Sequence, residues 1–325
     1  MKDSIISDTL VFTKTGMIVL VSRDQRDFFE KNVAMLQKIG INELLIDKID
    51  FEKIYPYLSL DHNFYEKVAY EPESGYADPV AVANSFASKA IESNVSYIND
   101  TVIKIKSEDQ RIVLKSGKEI NYDKVILATN IWTNSILENS NADILPLKIS
   151  PHPIIIFKRP EKYQGFKPII FDLLQKVYFK PEGLTLLIGG SFNAEIDKVS
   201  IKLDEMDNYS TVSFDYVTDY SKMVVERIPL MKDGFFHSSY YGFYDNSPDG
   251  QPIIDSCEKL GLKNVYCIAG LSGHGFKLSP AFGFMVSEMV LYNNFSVFDW
   301  TKFNLDRFKY GKTEFESYDG LGTIG

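Results

Sequence analysis

The run Val265-Tyr-Cys-Ile-Ala269 is apolar without alternation and is followed at once by Gly270, Gly273 and Gly275. An unbroken apolar run bounded by glycine or polar residues suits a strand covered on both faces, as in a parallel sheet. A second such run, Val125-Ile-Leu-Ala-Thr129, stands far upstream. Beyond the glycines, Pro280 opens an expected helix with Phe282, Val286, Met289 and Val290 on one side. Strand, glycine loop and helix in succession constrain the fold more than any other feature. They predict an α/β layer in which a helix start faces a ligand at the strand's carboxyl end.

Elsewhere the pattern predicts a strand over 17–21 and a helix over 24–39, with Phe28, Val33, Leu36 and Ile39 on its apolar side. An aromatic, irregular cap is expected over 54–73. Asp78-Pro79 supplies an acidic N-cap and a proline at the first helical position, and Val82, Phe86 and Ala90 then recur at four-residue spacing through Asn94. Short strands over 95–98, 102–106, 111–115 and 119–122, turning at Ser116-Gly117, form an expected antiparallel meander. From Pro151 to Tyr244 the texture changes: β-rich pieces at 154–157, 177–179 and 184–188 accompany a helical stretch over 212–226, an α+β region taken as a second domain.

At 325 residues with 45% hydrophobic side chains, the chain can bury a sizeable core, in two domains or one interleaved unit. Its net charge is −9 and its 35 lysines and arginines are scattered, so no basic face for nucleic acid is evident. Two cysteines, Cys257 and Cys267, lack metal-site spacing and read as reduced thiols. His62, His152 and His237 stand apart from carboxylates at ligand spacing, so no metal is expected. No stretch approaches the ~20 apolar residues of a membrane span, and the first residues carry acidic Asp3 and Asp8 rather than a secretory h-region. A cytoplasmic location is expected. No GxSxG elbow or P-loop is present, which leaves acyl and phosphoryl transfer without candidates.

The segment Ala269-Gly-Leu-Ser-Gly-His-Gly-Phe-Lys-Leu-Ser-Pro280 carries the candidate chemistry. Glycines let the backbone approach a ligand closely, and a helix start offers N–H groups and a partial positive charge. A flavin there would have negative charge at its N1 and C2 carbonyl stabilised during hydride acceptance. Lys277 would stand beside it as a cation for a substrate carboxylate. Spacing alone leans to the alternative, an ordinary glycine-rich turn with a solvated lysine.

Gly270-Leu-Ser-Gly-His-Gly-Phe-Lys277, preceded by Ser247-Pro-Asp-Gly-Gln-Pro-Ile-Ile254, resembles the C-terminal signature of the amino-acid-oxidase family of flavoproteins, within it the sarcosine oxidase, glycine oxidase and amino-acid dehydrogenase β-subunit branch. Gly75-Tyr-Ala-Asp-Pro79, Asp123-Lys-Val-Ile-Leu-Ala-Thr-Asn-Ile-Trp132, and Tyr178-Phe-Lys-Pro181 followed by Leu187-Ile-Gly-Gly190 resemble further family stretches, in family order. The resemblance implies an α/β fold with an α+β second domain: a two-dinucleotide-binding FAD domain built from 75–150 and 245–308, an antiparallel-sheet substrate domain from 1–74 and 151–244, and a tail over 309–325. It implies oxidation of a C–N bond α to a carboxylate, by hydride transfer to flavin N5, in a small amino acid or N-methyl amino acid. Lys277 would bind the carboxylate, with Tyr178 a further pocket candidate. Gly270, Gly273, His274, Gly275 and Phe276 would line the flavin, Val102 would lie on the adenosine side, and Ala128, Thr129 and Trp132 along the nucleotide edge. Sarcosine oxidases tether their flavin through a cysteine where this chain has Gly242, so the implied FAD is non-covalent.

The family's opening unit, a strand, GxGxxG turn and helix of roughly 30 residues, has no counterpart here. Gly320-Leu-Gly-Thr-Ile-Gly325 matches the letters but lies in the tail with no helix after it. A start placed downstream, a second chain supplying the missing unit, or a degenerate copy that binds no FAD by itself would each account for this. The first is expected, because the downstream signature is retained. A flavin-dependent hydroxy-acid or glycerol-phosphate dehydrogenase would use the same loop with a different pocket.

Overall fold

The computed structural model describes residues 12–60, 64–192 and 199–309. His62 and the glycine pattern over 320–325 lie outside them. In chain order the elements are β1 (Phe12–Lys14), β2 (Met17–Leu20), α1 (Arg26–Lys38), β3 (Leu44–Asp47), α2 (Lys48–Ile54), β4 (Lys67–Glu71), β5 (Gly75–Ala77) and α3 (Pro79–Glu92). There follow β6 (Val102–Lys106), β7 (Arg111–Leu114), β8 (Glu119–Asn121), β9 (Val125–Leu127), α4 (Thr133–Asn139), β10 (Lys148–Lys158), β11 (Ile169–Asp172), β12 (Val177–Glu182) and β13 (Leu186–Ser191). The chain continues with α5 (Phe214–Arg227), β14 (Phe235–Asn246), β15 (Ile253–Ser256), β16 (Val265–Ala269) and α6 (Gly275–Tyr292). Two compact units result: Met1–Ser96, Pro153–Ala194 and Ser210–Tyr241 in the first, and Tyr97–His152, Glu195–Tyr209 and Gly242–Gly325 in the second. Residues 75–96, which the family resemblance allots to the FAD domain, fall in the first unit.

The first unit is built on a sheet ordered β14-β10-β13-β12-β11-β2-β4-β3. From β10 to β3 its pairs are antiparallel except β2 with β11, which run parallel with Ile18 opposite Ile170. Ile18, Phe51, Phe64, Ile155, Phe179, Tyr220 and Val224 fill its core. The region expected to be an irregular cap contains β4, which pairs with both β2 and β3. Helix α1 starts after a 3-10 turn over Arg23–Gln25, which shifts its phase, so Phe29 and Val33 are buried and Phe28 is not. Ser213 caps α5 by accepting from the Tyr216 amide. At its far end Arg227 is buried against Asp172, Nε to Oδ2 at 2.6 Å. Asp78 accepts from the Ala81 amide at the start of α3, as its N-cap role requires. No residue of α3 is buried, however, and Phe86 is 42% exposed. Residues 95–98 form no strand: Val95, Tyr97 and Ile98 are exposed there, with no neighbouring strand to pair them.

In the second unit β16 lies between β15, antiparallel, and β9, parallel. The sheet faces α6 on one side through Ile254, Tyr266 and Ile268. On the other, Val125, Leu127, Ile253, Val265 and Cys267 join Ile136 and Leu137 of α4 and Ile105 of β6 in a separate core. Strands β6, β7 and β8 form the expected meander, with Gly117 at φ +85° in its turn. Burial of β9 is one-sided, since Ile126 is 46% exposed. The expected cover on both faces therefore holds for β16 and fails for β9, an edge strand of this sheet among the described residues. Asp249 of the Ser-Pro-Asp-Gly turn is held by Arg307 through two hydrogen bonds of 2.8 and 3.1 Å, both side chains buried. No helix among the described residues is long and apolar enough to cross a membrane.

Candidate functional site

Because β9 and β16 run parallel, with Leu127 opposite Cys267, both deliver their next residues to the same edge of the sheet. Ala128 and Thr129 follow one strand there, and Gly270 the other. This is the edge at which open α/β sheets bind ligands. Gly270, Ser272 and Gly273 all have positive φ (+65°, +48° and +85°) and fold the loop back on itself. Gly270 is required twice over: besides its φ, an added Cβ would lie 2.9 Å from Ser247 Cβ and 3.1 Å from Leu147 Cδ2. That close approach is to the protein's own chain.

Helix α6 begins at Gly275, five residues before the proline expected to open it, and Pro280 lies inside it. Proline favours a helix start but is not confined to it; here it removes one intrahelical donor from the bond to the Phe276 carbonyl. The shift places Phe276 and Lys277 in the first turn, where N–H groups have no intrahelical acceptor. His274 occupies the N-cap position and offers these amides no side-chain acceptor. Amides ahead of the helix have partners within the protein. Those of Gly270 and Leu271 donate to the two carboxylate oxygens of Asp245, at 2.6 and 3.1 Å.

The sequence-derived candidates fall into two groups and two separate positions. Gly270, Gly273, His274, Gly275, Phe276 and Lys277 form the loop and helix start, with Phe276 46% exposed. Ala128, Thr129 and Trp132 share the carboxyl edge: Thr129 Oγ1 is 3.0 Å from Thr133 Oγ1, and Trp132 is 54% exposed. Val102 instead opens β6 opposite Leu114, in the meander. Tyr178 belongs to the first unit, on β12 opposite Gly190 and Phe171, its ring stacked on that of Phe171 at 6.0 Å.

Desolvation lowers the Lys277 ammonium below the ordinary lysine value even though the side chain is partly exposed. Burial and the nearby Lys277 charge push His274 down to about 4. The imidazole is therefore neutral at pH 7. With an unfolded value near 6.5, the unfolded chain binds more protons at this residue between about 6.5 and about 4. Stability from His274 is complete above that window and is lost as pH falls through it. Glu43, pushed up to about 7 by burial and Glu71, tilts the overall curve the other way. The difference between wild type and His274→Gln isolates the histidine: the wild type is expected to lose stability relative to the variant on acidification, and a flat difference curve in urea unfolding would contradict this.

The pattern of the FAD dependent oxidoreductase family matches residues 4–289. The chain belongs to this family. FAD is accordingly its cofactor and oxidation–reduction its class of chemistry. It is 22% identical over 337 residues to FAD-dependent oxidoreductase domain-containing protein 1 of Bos taurus, covering 93% of this chain and 67% of that relative. N-methyl-L-tryptophan oxidase of Salmonella enteritidis is 24% identical, over 92% of this chain and 78% of its own. Among solved structures, L-proline dehydrogenase from P. horikoshii superposes with a TM-score of 0.80 at 24% identity, covering 93% of this chain and 78% of that one. Glycine oxidase from Geobacillus kaustophilus gives 0.73 at 18%, over 90% and 75%. The shared fold is the mixed α/β architecture described above.

Proposed function

We propose that this FAD-dependent oxidoreductase oxidises the C–N bond of a small amino acid or N-methyl amino acid, holding FAD non-covalently. The observation that carries the reading is the placement of the glycine loop, the start of α6 and Lys277 at the carboxyl edge of a parallel strand pair. A glycine loop leading into a helix start fits an electron-rich ring and an acid group. When bound, FAD supplies a two-electron acceptor for the hydride leaving the substrate carbon. Lys277 binds the substrate carboxylate and so fixes which C–H bond is presented. Neutral His274 leaves Lys277 as the cation in this turn. Loss of hydride from carbon and of a proton from nitrogen leaves an imine, which water converts to a carbonyl compound and an amine. Gly242, where a tethering cysteine would stand, supports non-covalent binding. Relatives named for N-methyl-L-tryptophan, L-proline and glycine support the substrate class. The buried, unbridged Cys257 and Cys267 support a reducing, cytoplasmic setting.

A second reading is favoured by one observation. The outer edge of β9 has no strand partner among the described residues, and Ile126 beside it is exposed. An open edge on a parallel pair is where another strand adds. On this reading a second chain completes the sheet and the chain by itself takes up no FAD. Purified protein titrated with FAD separates the two. The first reading expects visible flavin bands that bleach anaerobically with a carboxylated secondary amine such as sarcosine. Bleaching by a hydroxy acid or glycerol phosphate alone would transfer the site to that dehydrogenase class, and a colourless protein would favour the second reading.

A further inference from the structure

The glycine loop is held from behind by a residue outside every recognised motif. Asp245, near the end of β14, is 3% exposed. Its Oδ2 accepts from the Gly270 amide at 2.6 Å and its Oδ1 from the Leu271 amide at 3.1 Å, while its own carbonyl accepts from the Ser272 amide at 3.1 Å. Three successive loop amides thus end on one residue. The next positions extend the clasp: Asn246 bridges Leu271, and the Ser247 amide donates to Ser272 Oγ, which in turn donates to the Gly270 carbonyl. Burial raises the Asp245 carboxyl above its ordinary value, and the backbone amides of Gly270, Leu271 and Asp245 itself offset part of that rise. A buried carboxylate hydrogen-bonded by loop amides ties its own desolvation cost to the loop conformation.

We propose that Asp245 is a positioning residue: by taking the Gly270 and Leu271 amides it fixes the positive-φ turn from Gly270 to Gly273 and so sets where the first turn of α6, with Lys277, points. The cofactor half of this inference rests on the proposed function; the clasp does not. The carboxylate has an acceptor for each of the two amides. An asparagine has one, and its NH2 would be set against the other N–H. Asp245→Asn is therefore more disruptive than its small change in shape suggests, whereas Asp245→Glu keeps both acceptors on a longer stem.

The test follows amide hydrogen exchange at Gly270 and Leu271, using the amides of β16 as an internal reference, alongside FAD affinity measured by flavin fluorescence. In Asp245→Asn, exchange at the two amides should rise at least about tenfold over the reference and FAD affinity should fall by about tenfold or more. Asp245→Glu should recover much of both, which a mere loss of packing would not produce. Should Asp245→Asn fail to fold, the glutamate variant decides: protected amides and near-native affinity support the proposal, and a folded glutamate variant with unprotected amides overturns it. It is overturned equally if Asp245→Asn folds with wild-type protection, or loses protection and keeps full FAD affinity. A wild-type chain that takes up no FAD would remove the cofactor reading and leave the proposal to be decided by the exchange rates alone.

Discussion

Arg227→Met is expected to destabilise the protein by about 3–5 kcal/mol, the cost of leaving a buried charge without its partner. Arg227 and Asp172 are 2% and 0% exposed. The guanidinium also donates to the Ser59 carbonyl, and Asp172 Oδ1 accepts from the amides of Leu174 and Gln175, both at 3.1 Å. Three separate stretches of chain, around residues 59, 172 and 227, are thereby joined inside the first unit. Removing either partner strands the other. Burial raises the Asp172 carboxyl above its ordinary value despite Arg227, so the environment disfavours its charge on balance. The pair is thus costly to break without being strongly stabilising to possess. A double variant, Asp172→Leu with Arg227→Met, should recover part of the loss in urea unfolding. Recovery should stop short of wild type, because in the double variant the Ser59 carbonyl and the amides of Leu174 and Gln175 all lose their side-chain partners. Single and double variants alike within ~1 kcal/mol of wild type would refute a buried pair of this kind.

The parts of the fold legible from sequence were those with local causes. The strand runs of β9 and β16 follow from unbroken apolar residues. The start of α3 follows from an aspartate whose carboxylate reaches an amide three residues on. The buried side of α6 follows from Phe282, Val286, Met289 and Val290 at helical spacing. What escaped has non-local causes. The start of α6 was hidden because glycines and a proline read as loop letters, whereas the helix is entered through the turn clasped by Asp245. Asp249 and Arg307 meet across 58 positions, and neither residue's neighbours announce the other. Asp245 gave no signal, since one acid at the end of a strand is usually solvated. The resemblance supplied the family and named Gly270 among the flavin-lining residues, but only the three-dimensional contact shows that the Gly270 and Leu271 amides donate to Asp245.

Lys277→Met should raise KM for a carboxylated amine by ~10–100-fold, the loss of one charge-assisted hydrogen bond worth about 1.5–3 kcal/mol. If the ammonium holds the carboxylate equally in the ground and transition states, kcat should change much less than KM. A fall in kcat alone would mean that Lys277 acts on the reacting atoms instead. Stability should move the other way. Because desolvation lowers the Lys277 value in the folded state, the folded chain binds fewer protons than the unfolded one as pH passes from the folded to the unfolded value. Below that window the charged side chain costs stability, and the cost is relieved as pH rises through it. Methionine fills a similar length without a charge to desolvate, so at pH 7 the variant's Tm should hold or rise while its KM worsens. A solvated lysine on an ordinary turn predicts neither change. Opposite signs for Tm and substrate affinity are what a cation kept for a ligand, at the expense of the fold that carries it, requires.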